Sequence, residues 1–228
     1  MLEFLAESEM DIEGRMPWSS NATFLVNLCL QDQRAQGIYK PMRGERPLWD
    51  FEPGLHRRER AAFVLSEGLG WNIVPPTVIR DGPYGEGSVQ LFIEADYDEH
   101  YFTLHEGRPD LHDQLQRICA FDVIANNTDR KGGHCLLGTD GHVYGIDHGV
   151  CFSADFKLRT VIWEFGGEPI PDEIMTDVER VAENLPSELS TLLNREETLA
   201  TQRRAWQLVE HPYFPVDRTG RRYPWPLV

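Results

Sequence analysis

Residues 126–135, NNTDRKGGHC, decide how the rest of this chain is interpreted. The stretch is too polar for a buried core and too rich in glycine for the interior of a helix. It follows LQRICAFDVIA (residues 115–125), whose apolar residues recur at helical spacing. It is followed by HCLLG, TDGH and VYGID, which predict a tight hairpin ending at Asp147. A polar loop between a helix and a hairpin is where functional residues concentrate.

Charge and composition exclude several classes of protein. The formal net charge is −15, which argues against binding to nucleic acid or to an anionic membrane surface, because both need clustered Lys and Arg. No apolar run reaches the ~20 residues of a spanning helix, and the first residues lack a basic signal-peptide region. We therefore expect a cytoplasmic protein without stable membrane insertion. Its four widely spaced cysteines are expected to stay reduced.

The pattern of apolar residues divides the chain into two parts. Strands are predicted at residues 9–13, 23–30, 36–41, 72–80 and 87–95, with one helix at 55–70. Beyond them the chain is mainly helical, with two or three helices predicted between residues 171 and 210. The expected fold is α+β and two-lobed, with a strand-rich lobe at residues 1–95 and a helical lobe at 96–228.

Several charged residues occur in an order that suits phosphoryl transfer. Asp129 is followed by Lys131 and His134, and Asp147 ends the hairpin that His134 begins. Phosphoryl transfer needs a carboxylate beside the acceptor hydroxyl and ligands for a metal ion. It also needs a lysine on the nucleotide phosphates and a helix acid that orients this lysine. Lys40, at a strand end, and Glu59, on the following helix, are the candidates.

The order of these motifs resembles a known family. NNTDRKGGHCLL followed by VYGIDHGVCF resembles the catalytic and metal-binding loops of the phosphoinositide 3-/4-kinase-like group of atypical kinases. Within this group the chain is similar to small actinobacterial proteins. The resemblance covers residues 14–151, and the helical tail after Phe156 matches no pattern. His134 stands where these kinases usually have Asn.

The resemblance implies roles for the residues of the two loops. Asp129 would be the catalytic base, and Lys131 would contact the transferring phosphate. His134 and Asp147 would hold Mg²⁺ or Mn²⁺. Because imidazole suits Mn²⁺ better than Mg²⁺, the His-for-Asn exchange favours Mn²⁺ or a weak or absent activity.

The resemblance also implies a nucleotide site in the first lobe. Lys40 would bind the α- and β-phosphates of ATP and Glu59 would orient it. The loop at residues 14–22 would cover the phosphates, and the segment at residues 89–95 would meet the adenine edge. The residues that would supply contacts from these two segments are Ser19, Ser20, Asn21, Phe92 and Ile93.

Each residue also has a simpler interpretation. Lys40 alone is an ordinary surface lysine, and Glu67 is an alternative partner for it. Asp147 alone can form a turn, and His134 alone can be a buried histidine with satisfied hydrogen bonds. A zinc site is a further alternative, but adjacent strand residues point to opposite faces and cannot share one ion. That site would use His134, Cys135, His148 and Cys151.

The predicted function is ATP- and divalent-metal-dependent transfer of phosphate to a hydroxyl. The expected acceptor is Ser or Thr of a protein, the chain itself included, although no residue pattern identifies it. Three alternatives remain: a nucleotide-binding pseudokinase, an adenylyltransferase on the same scaffold, and a kinase of a small molecule or lipid.

Overall fold

A five-stranded antiparallel sheet forms the N-terminal part of the fold. The computed structural model describes residues 1–17, 19 and 21–228. The sheet has the order β1-β2-β3-β5-β4, so that the β2–β3 hairpin occupies its centre. Its strands are β1 (Glu9–Arg15), β2 (Phe24–Leu30), β3 (Gln33–Pro41), β4 (Thr77–Gly82) and β5 (Gly85–Leu91).

One face of this sheet carries its own small core. Alternate residues of the strands point to the same face, which places Val26, Leu28 and Tyr39 together in the interior. A short helix that the sequence did not predict, α1 (Leu2–Glu7), covers this face with Phe4 and Leu5. The hairpin with Lys40 near the end of its second strand is confirmed.

Two of the predicted strands are shorter than expected. β4 begins at Thr77 and not at residue 72, because two consecutive prolines precede it and proline cannot donate to a sheet ladder. β5 ends at Leu91. The next residues connect the sheet to the rest of the chain, and the N–H of Asp96 donates to Leu137 O at 3.1 Å.

Helix α2 (Leu55–Leu69) lies between the sheet and the helices. It begins after Gly54 and ends at Gly70, both of which have positive φ angles that favour glycine. Its buried side chains, from Ala61 to Leu69, belong to the large apolar core of the helical part. The helix therefore holds the sheet on the helical part, and the division at residue 95 stays a prediction.

The helical part surrounds a short hairpin. Two helices that precede the hairpin, α3 (Tyr101–Gly107) and α4 (His112–Ala125), pack near it, and α3 was not predicted. The hairpin consists of β6 (Cys135–Leu137) and β7 (Val143–Gly145). Three helices follow, in agreement with the prediction: α5 (Asp172–Glu183), α6 (Leu189–Leu192) and α7 (Arg195–Glu210).

The architecture is thus α+β, with an antiparallel sheet on one side of a cleft and helices on the other, as predicted. Among the described residues, no helix has both the length and the apolar character that crossing a bilayer requires.

Candidate active site

Lys40 is held by two carboxylates from the other side of the cleft. Its Nζ donates to Glu59 Oε1 at 2.5 Å and to Asp147 Oδ1 at 2.8 Å. Glu59 is 3% exposed, and its Oε2 accepts the backbone N–H of His148 at 3.0 Å. Burial alone would lower the pKa of Lys40, but Asp147 and Glu59 raise it above its usual value. Lys40 is therefore a fixed positive charge. Glu67 is exposed near the end of α2 and is not its partner.

Asp147 also faces His134. Its Oδ2 lies 3.5 Å from Nε2 of His134, so the two residues meet at the open end of the hairpin. Asp147 has a positive φ of 61°, a conformation that asparagine and aspartate adopt more readily than most residues. Lys40 holds the pKa of the Asp147 carboxyl well below its usual range, although burial opposes this. The carboxylate is consequently ionised and directed into the cleft.

His134 is neutral in this environment. Burial lowers its pKa to about 4, even though the charge of Asp147 acts in the opposite direction. Its Nδ1 accepts the backbone N–H of Lys131 at 3.4 Å. With Nδ1 as the acceptor the proton lies on Nε2, so the imidazole can offer Nε2 to a cation only after this proton moves to Nδ1, whereas the carboxylate offers an oxygen directly.

Asp129 and Lys131 form an ion pair in the same loop. Asp129 Oδ2 lies 3.1 Å from Lys131 Nζ, and the backbone N–H of Asp129 donates to Asn127 Oδ1 at 3.0 Å. Burial raises the pKa of the Asp129 carboxyl above its ordinary value of 3.8, while Lys131 partly offsets this effect. Asp129 is therefore a stronger base than an aspartate in water, and its carboxylate remains partly accessible.

A buried arginine positions both loops, and the sequence interpretation missed it. Arg130 is fully buried, and its Nε and Nη2 donate to the two oxygens of Asp122, each at 2.9 Å. Its Nη1 donates to Ile146 O at 2.9 Å and to His134 O at 3.2 Å. Arg130 thus fixes the backbone on both sides of the His134–Asp147 pair. The available signal was Asp122, an acid on the apolar face of α4.

Two adjoining cavities meet at these residues. A polar cavity of about 180 Å³ contains Glu59, Asp129 and Lys131, and a mainly apolar one of about 320 Å³ lies under the sheet. The residues that line both cavities are Ser19, Thr23, Lys40, His134 and Asp147. One end of the cleft is therefore suited to charged groups and the other to an apolar ring.

The predicted nucleotide-contacting residues are distributed over both cavities. Ser19 lines both, and its hydroxyl lies 2.7 Å from that of Thr23. Asn21 lines the polar cavity, but its Oδ1 accepts the backbone N–H of Arg46 at 2.9 Å. Ser20 lies outside the described residues. Their roles toward phosphate stay predictions.

Phe92 and Ile93 line the apolar cavity, together with Tyr97. The backbone N–H of Phe92 donates to Gln36 O at 3.0 Å, which leaves the Phe92 N–H engaged within the protein. Ile93 O accepts the Tyr97 hydroxyl at 3.4 Å. The connection between the two parts of the fold therefore forms one wall of this cavity, and its role toward adenine stays a prediction.

The zinc alternative is wrong for the part of the chain that the structure describes, because no group of three or more His, Cys, Asp or Glu side chains there could hold an ion. His148 accepts from Arg130 Nη2 at 2.7 Å through Nε2 and is buried. Burial also raises the pKa of the Cys135 thiol to about 12. All four cysteines are free thiols.

Comparison with known sequences assigns the chain to a family. The family Phosphatidylinositol 3- and 4-kinase matches residues 79–195, just over half of the chain. The chain belongs to this family. The matched residues include Asp129, His134 and Asp147, whereas Lys40 and Glu59 precede them.

Two curated relatives extend the match. Protein Rv2133c of Mycobacterium tuberculosis is 40% identical over 97% of this chain and 93% of its own length. Phosphatidylinositol 4-kinase gamma 4 of Oryza sativa subsp. japonica is 28% identical over 46% of this chain, which corresponds to 22% of the rice protein. The family member described here thus has an actinobacterial relative that matches nearly its whole length.

Two solved structures share the fold. Hydra Fam20, solved with sugar, has a TM-score of 0.60 at 15% identity, over 92% of this chain and 87% of that one. The Helicobacter pylori proinflammatory kinase CtkA has a TM-score of 0.52 at 9% identity, over 92% and 94%. The fold is therefore that of atypical kinases, and the family member is a kinase-like phosphotransferase.

Proposed function

We propose that this protein transfers the γ-phosphoryl group of ATP to a hydroxyl, and that the acceptor is Ser or Thr of a polypeptide, the chain itself included. The observation that carries the proposal is the convergence of Lys40 with Glu59 and Asp147 in a cavity that also contains Asp129. A fixed cation, an ionised carboxylate and a base of raised pKa are the parts that phosphoryl transfer needs.

In this proposal each residue of the site has a separate role in binding ATP or in transferring its phosphoryl group. Lys40 binds the α- and β-phosphates, and Glu59 keeps its ammonium in place. Asp129 accepts the proton of the acceptor hydroxyl, while Lys131 neutralises charge on the transferring group. The apolar cavity beside Phe92 and Ile93 takes the adenine ring, with Ser19 and Asn21 near the phosphates.

The donor set at the hairpin fits a divalent cation. His134 Nε2 and Asp147 Oδ2 are 3.5 Å apart, so both would reach one ion after a small adjustment and a shift of the imidazole proton from Nε2 to Nδ1. Two protein ligands suffice in a kinase, because phosphate oxygens and water complete the shell. Mg²⁺ or Mn²⁺, when bound, would neutralise the charge that develops on the phosphates. His134 and Asp147 would hold it, and the nitrogen donor favours Mn²⁺.

Mass spectrometry tests the proposed function directly. The intact protein is incubated with ATP and either Mn²⁺ or Mg²⁺, with and without a mixture of Ser- and Thr-containing peptides. A gain of one phosphate on protein or peptide is expected. A gain of one adenylyl group would indicate adenylyl transfer instead. Absence of any transfer, with ATP still bound, would indicate a nucleotide-binding pseudokinase, which His134 in the Asn position favours as the second candidate.

Lys40→Met should weaken ATP binding by at least about tenfold, because it removes the phosphate ligand and leaves Glu59 buried without its partner. Isothermal titration calorimetry with ATP and Mn²⁺ measures the dissociation constant, and circular dichroism verifies folding. Arg34→Met is the matched control, because Arg34 is an exposed base on the same strand. Unchanged affinity in the Lys40 variant would remove this residue from the site.

His134→Asn should change the metal preference. Asparagine replaces a nitrogen ligand with an oxygen ligand, which Mg²⁺ prefers, so the ratio of ATP affinity with Mn²⁺ to that with Mg²⁺ should fall by at least about fivefold. Titration of ATP in the presence of each metal provides the ratio. His211→Asn, at an exposed histidine, should leave it unchanged. An equal ratio in the parent and the His134 variant would show that this imidazole is not a ligand.

We also propose that the protein acts in the cytoplasm. The free state of all four cysteines and the strongly acidic composition support this location. The acidic composition gives no support for nucleic acid as a partner.

A further inference from the structure

A third cavity, larger than either of the two cavities of the cleft, opens next to the proposed phosphate site. It has a volume of about 830 Å³, within the range of ligand-binding cavities. We call it the side groove. One wall is the loop at residues 42–53, and the other consists of residues 153–157 and 194–197. Glu45 and Leu55 line both the side groove and the polar cavity that contains Asp129, so the two spaces adjoin.

The loop wall exposes apolar side chains to solvent. Met42, Leu48 and Trp49 are all exposed, and Trp49 is 95% exposed. Phe51 lies on the same loop, with the charged ends of Arg58 and Lys157 each 5.0 Å from its ring centre. Neighbouring exposed apolar residues such as Leu48 and Trp49 are typical of a surface that binds another molecule.

Hydrogen bonds connect the opposite wall to the loop that contains Asp129. Asn126, three residues before Asp129, donates through Nδ2 to Ser153 O at 3.0 Å and to Asp155 O at 2.7 Å. Its Oδ1 accepts the backbone N–H of Lys157 at 2.9 Å. A molecule bound to this wall is therefore held in a fixed position relative to Asp129.

The rim of the side groove is acidic. Two of its three bases are engaged: Arg58 is paired with Glu197, and Lys157 with Asp50, whereas the exposed Arg46 forms no ion pair with any described residue. Three exposed acids likewise form no ion pair with any residue that the structure describes, and these are Glu52, Asp155 and Glu196. Three such acids against one such base leave the rim with a net negative charge. It would attract a cationic partner and repel the phosphate of a lipid headgroup.

We infer that the side groove binds the acceptor, a polypeptide segment in which basic and apolar residues flank a Ser or Thr. This inference rests on the proposed function. The basic residues meet the acidic rim, the apolar residues contact the loop wall, and the hydroxyl enters the polar cavity. There its oxygen forms a bond to the γ-phosphorus of ATP, the bond from that phosphorus to the β–γ bridging oxygen breaks, and the proton passes to Asp129.

Peptide binding and phosphate transfer test the inference as separate measurements. The probe is a fluorescent peptide with one serine between arginines and leucines. Two comparison peptides replace the arginines with glutamates or the serine with alanine. Fluorescence anisotropy measures affinity, and radiolabelled ATP measures transfer. The basic peptide should bind at least about tenfold more tightly than the acidic one, and this difference should shrink at high salt.

The double variant Glu52→Lys/Asp155→Lys should weaken binding of the basic peptide by at least about fivefold and raise its KM for transfer, while ATP affinity stays at the parental value. The matched control is Glu179→Lys/Glu183→Lys, which makes the same charge change on two exposed residues of α5. Its peptide affinity should equal that of the parent.

Each other outcome has a definite meaning. Equal loss in both double variants, or equal binding of acidic and basic peptides, would overturn the inference while self-phosphorylation of the chain could still support the proposed function. Phosphorylation of phosphatidylinositol vesicles in place of the peptide would also overturn it. If the basic peptide binds but no acceptor is ever phosphorylated, the proposed function fails, and the acceptor assignment fails with it.

Discussion

Asp129→Asn should lower the rate of phosphate transfer by at least about a hundredfold and leave ATP affinity within about twofold of the parental value. In the proposed mechanism the carboxylate accepts a proton from the acceptor and contacts the nucleotide little, so its loss should affect turnover and not binding. Asparagine has nearly the same shape, and Asn127 can still accept the backbone N–H of residue 129. Transfer of radiolabelled phosphate, with calorimetry in parallel, measures both quantities.

The pH profile of the parent adds an independent measurement. Burial raises the pKa of Asp129 above 3.8, and the base must be deprotonated to act. The rate should therefore fall as the pH falls through this raised pKa, and the acidic limb should lie above that of an unperturbed aspartate. The acidic limb should be absent from the pH profile of the residual rate of the Asp129→Asn variant. Asp11→Asn, at an exposed aspartate of β1, is the matched control. Equal rates in the parent and the Asp129 variant would exclude Asp129 as the base.

Arg130→Ala should lower the free energy of unfolding by about 3–5 kcal/mol, because it leaves Asp122 as a buried charge without its cationic partner. Since the total stability of a domain is about 5–15 kcal/mol, this loss is a large fraction of it. The carbonyl of Ile146 would also lose the Arg130 donor, whereas that of His134 keeps the backbone N–H of Ile146. Urea unfolding followed by circular dichroism measures the change in free energy.

Two further variants separate the charge effect from general disruption. Arg159→Ala, at an exposed arginine of the same region, should change stability by less than about 0.5 kcal/mol. Asp122→Leu combined with Arg130→Met removes both charges and should be less destabilised than Arg130→Ala alone. If Arg130→Ala were no less stable than Arg159→Ala, the buried pair would not hold the two loops.

The residues of the cleft were predictable where the residues that act together lie close to one another in the sequence. The spacing of Asp129, His134 and Asp147 places them around one hairpin, and only that short segment has to fold for His134 and Asp147 to meet. Lys40 and Glu59 were predictable as a pair because a strand and the next helix commonly pack together. Whether these groups bind nucleotide and metal stays a prediction.

The remaining features depend on contacts between distant parts of the chain. Arg58 reaches Glu197 across 139 positions, and Lys157 reaches Asp50 across 107, so no local pattern indicates the side groove. Arg130 was assigned no role because its burial depends on Asp122 and on the carbonyls after β7. Helix α1 was missed because a short helix at a chain end is stabilised mainly by packing and not by its own sequence.

If the proposed function is correct, the contact between Lys40 and Asp147 would make ATP and its metal cooperative ligands. Each residue now compensates the charge of the other, and both would be needed for separate tasks in the proposed complex. Phosphate alone would draw Lys40 away and leave a bare carboxylate, and a cation alone would meet the charge of Lys40. Only when both ligands are bound does each of the two charges find a new partner, Lys40 in the phosphates and Asp147 in the metal ion. By thermodynamic linkage each would raise the affinity of the other by the same factor, so the proposed site would bind metal-bound ATP more tightly than either component alone.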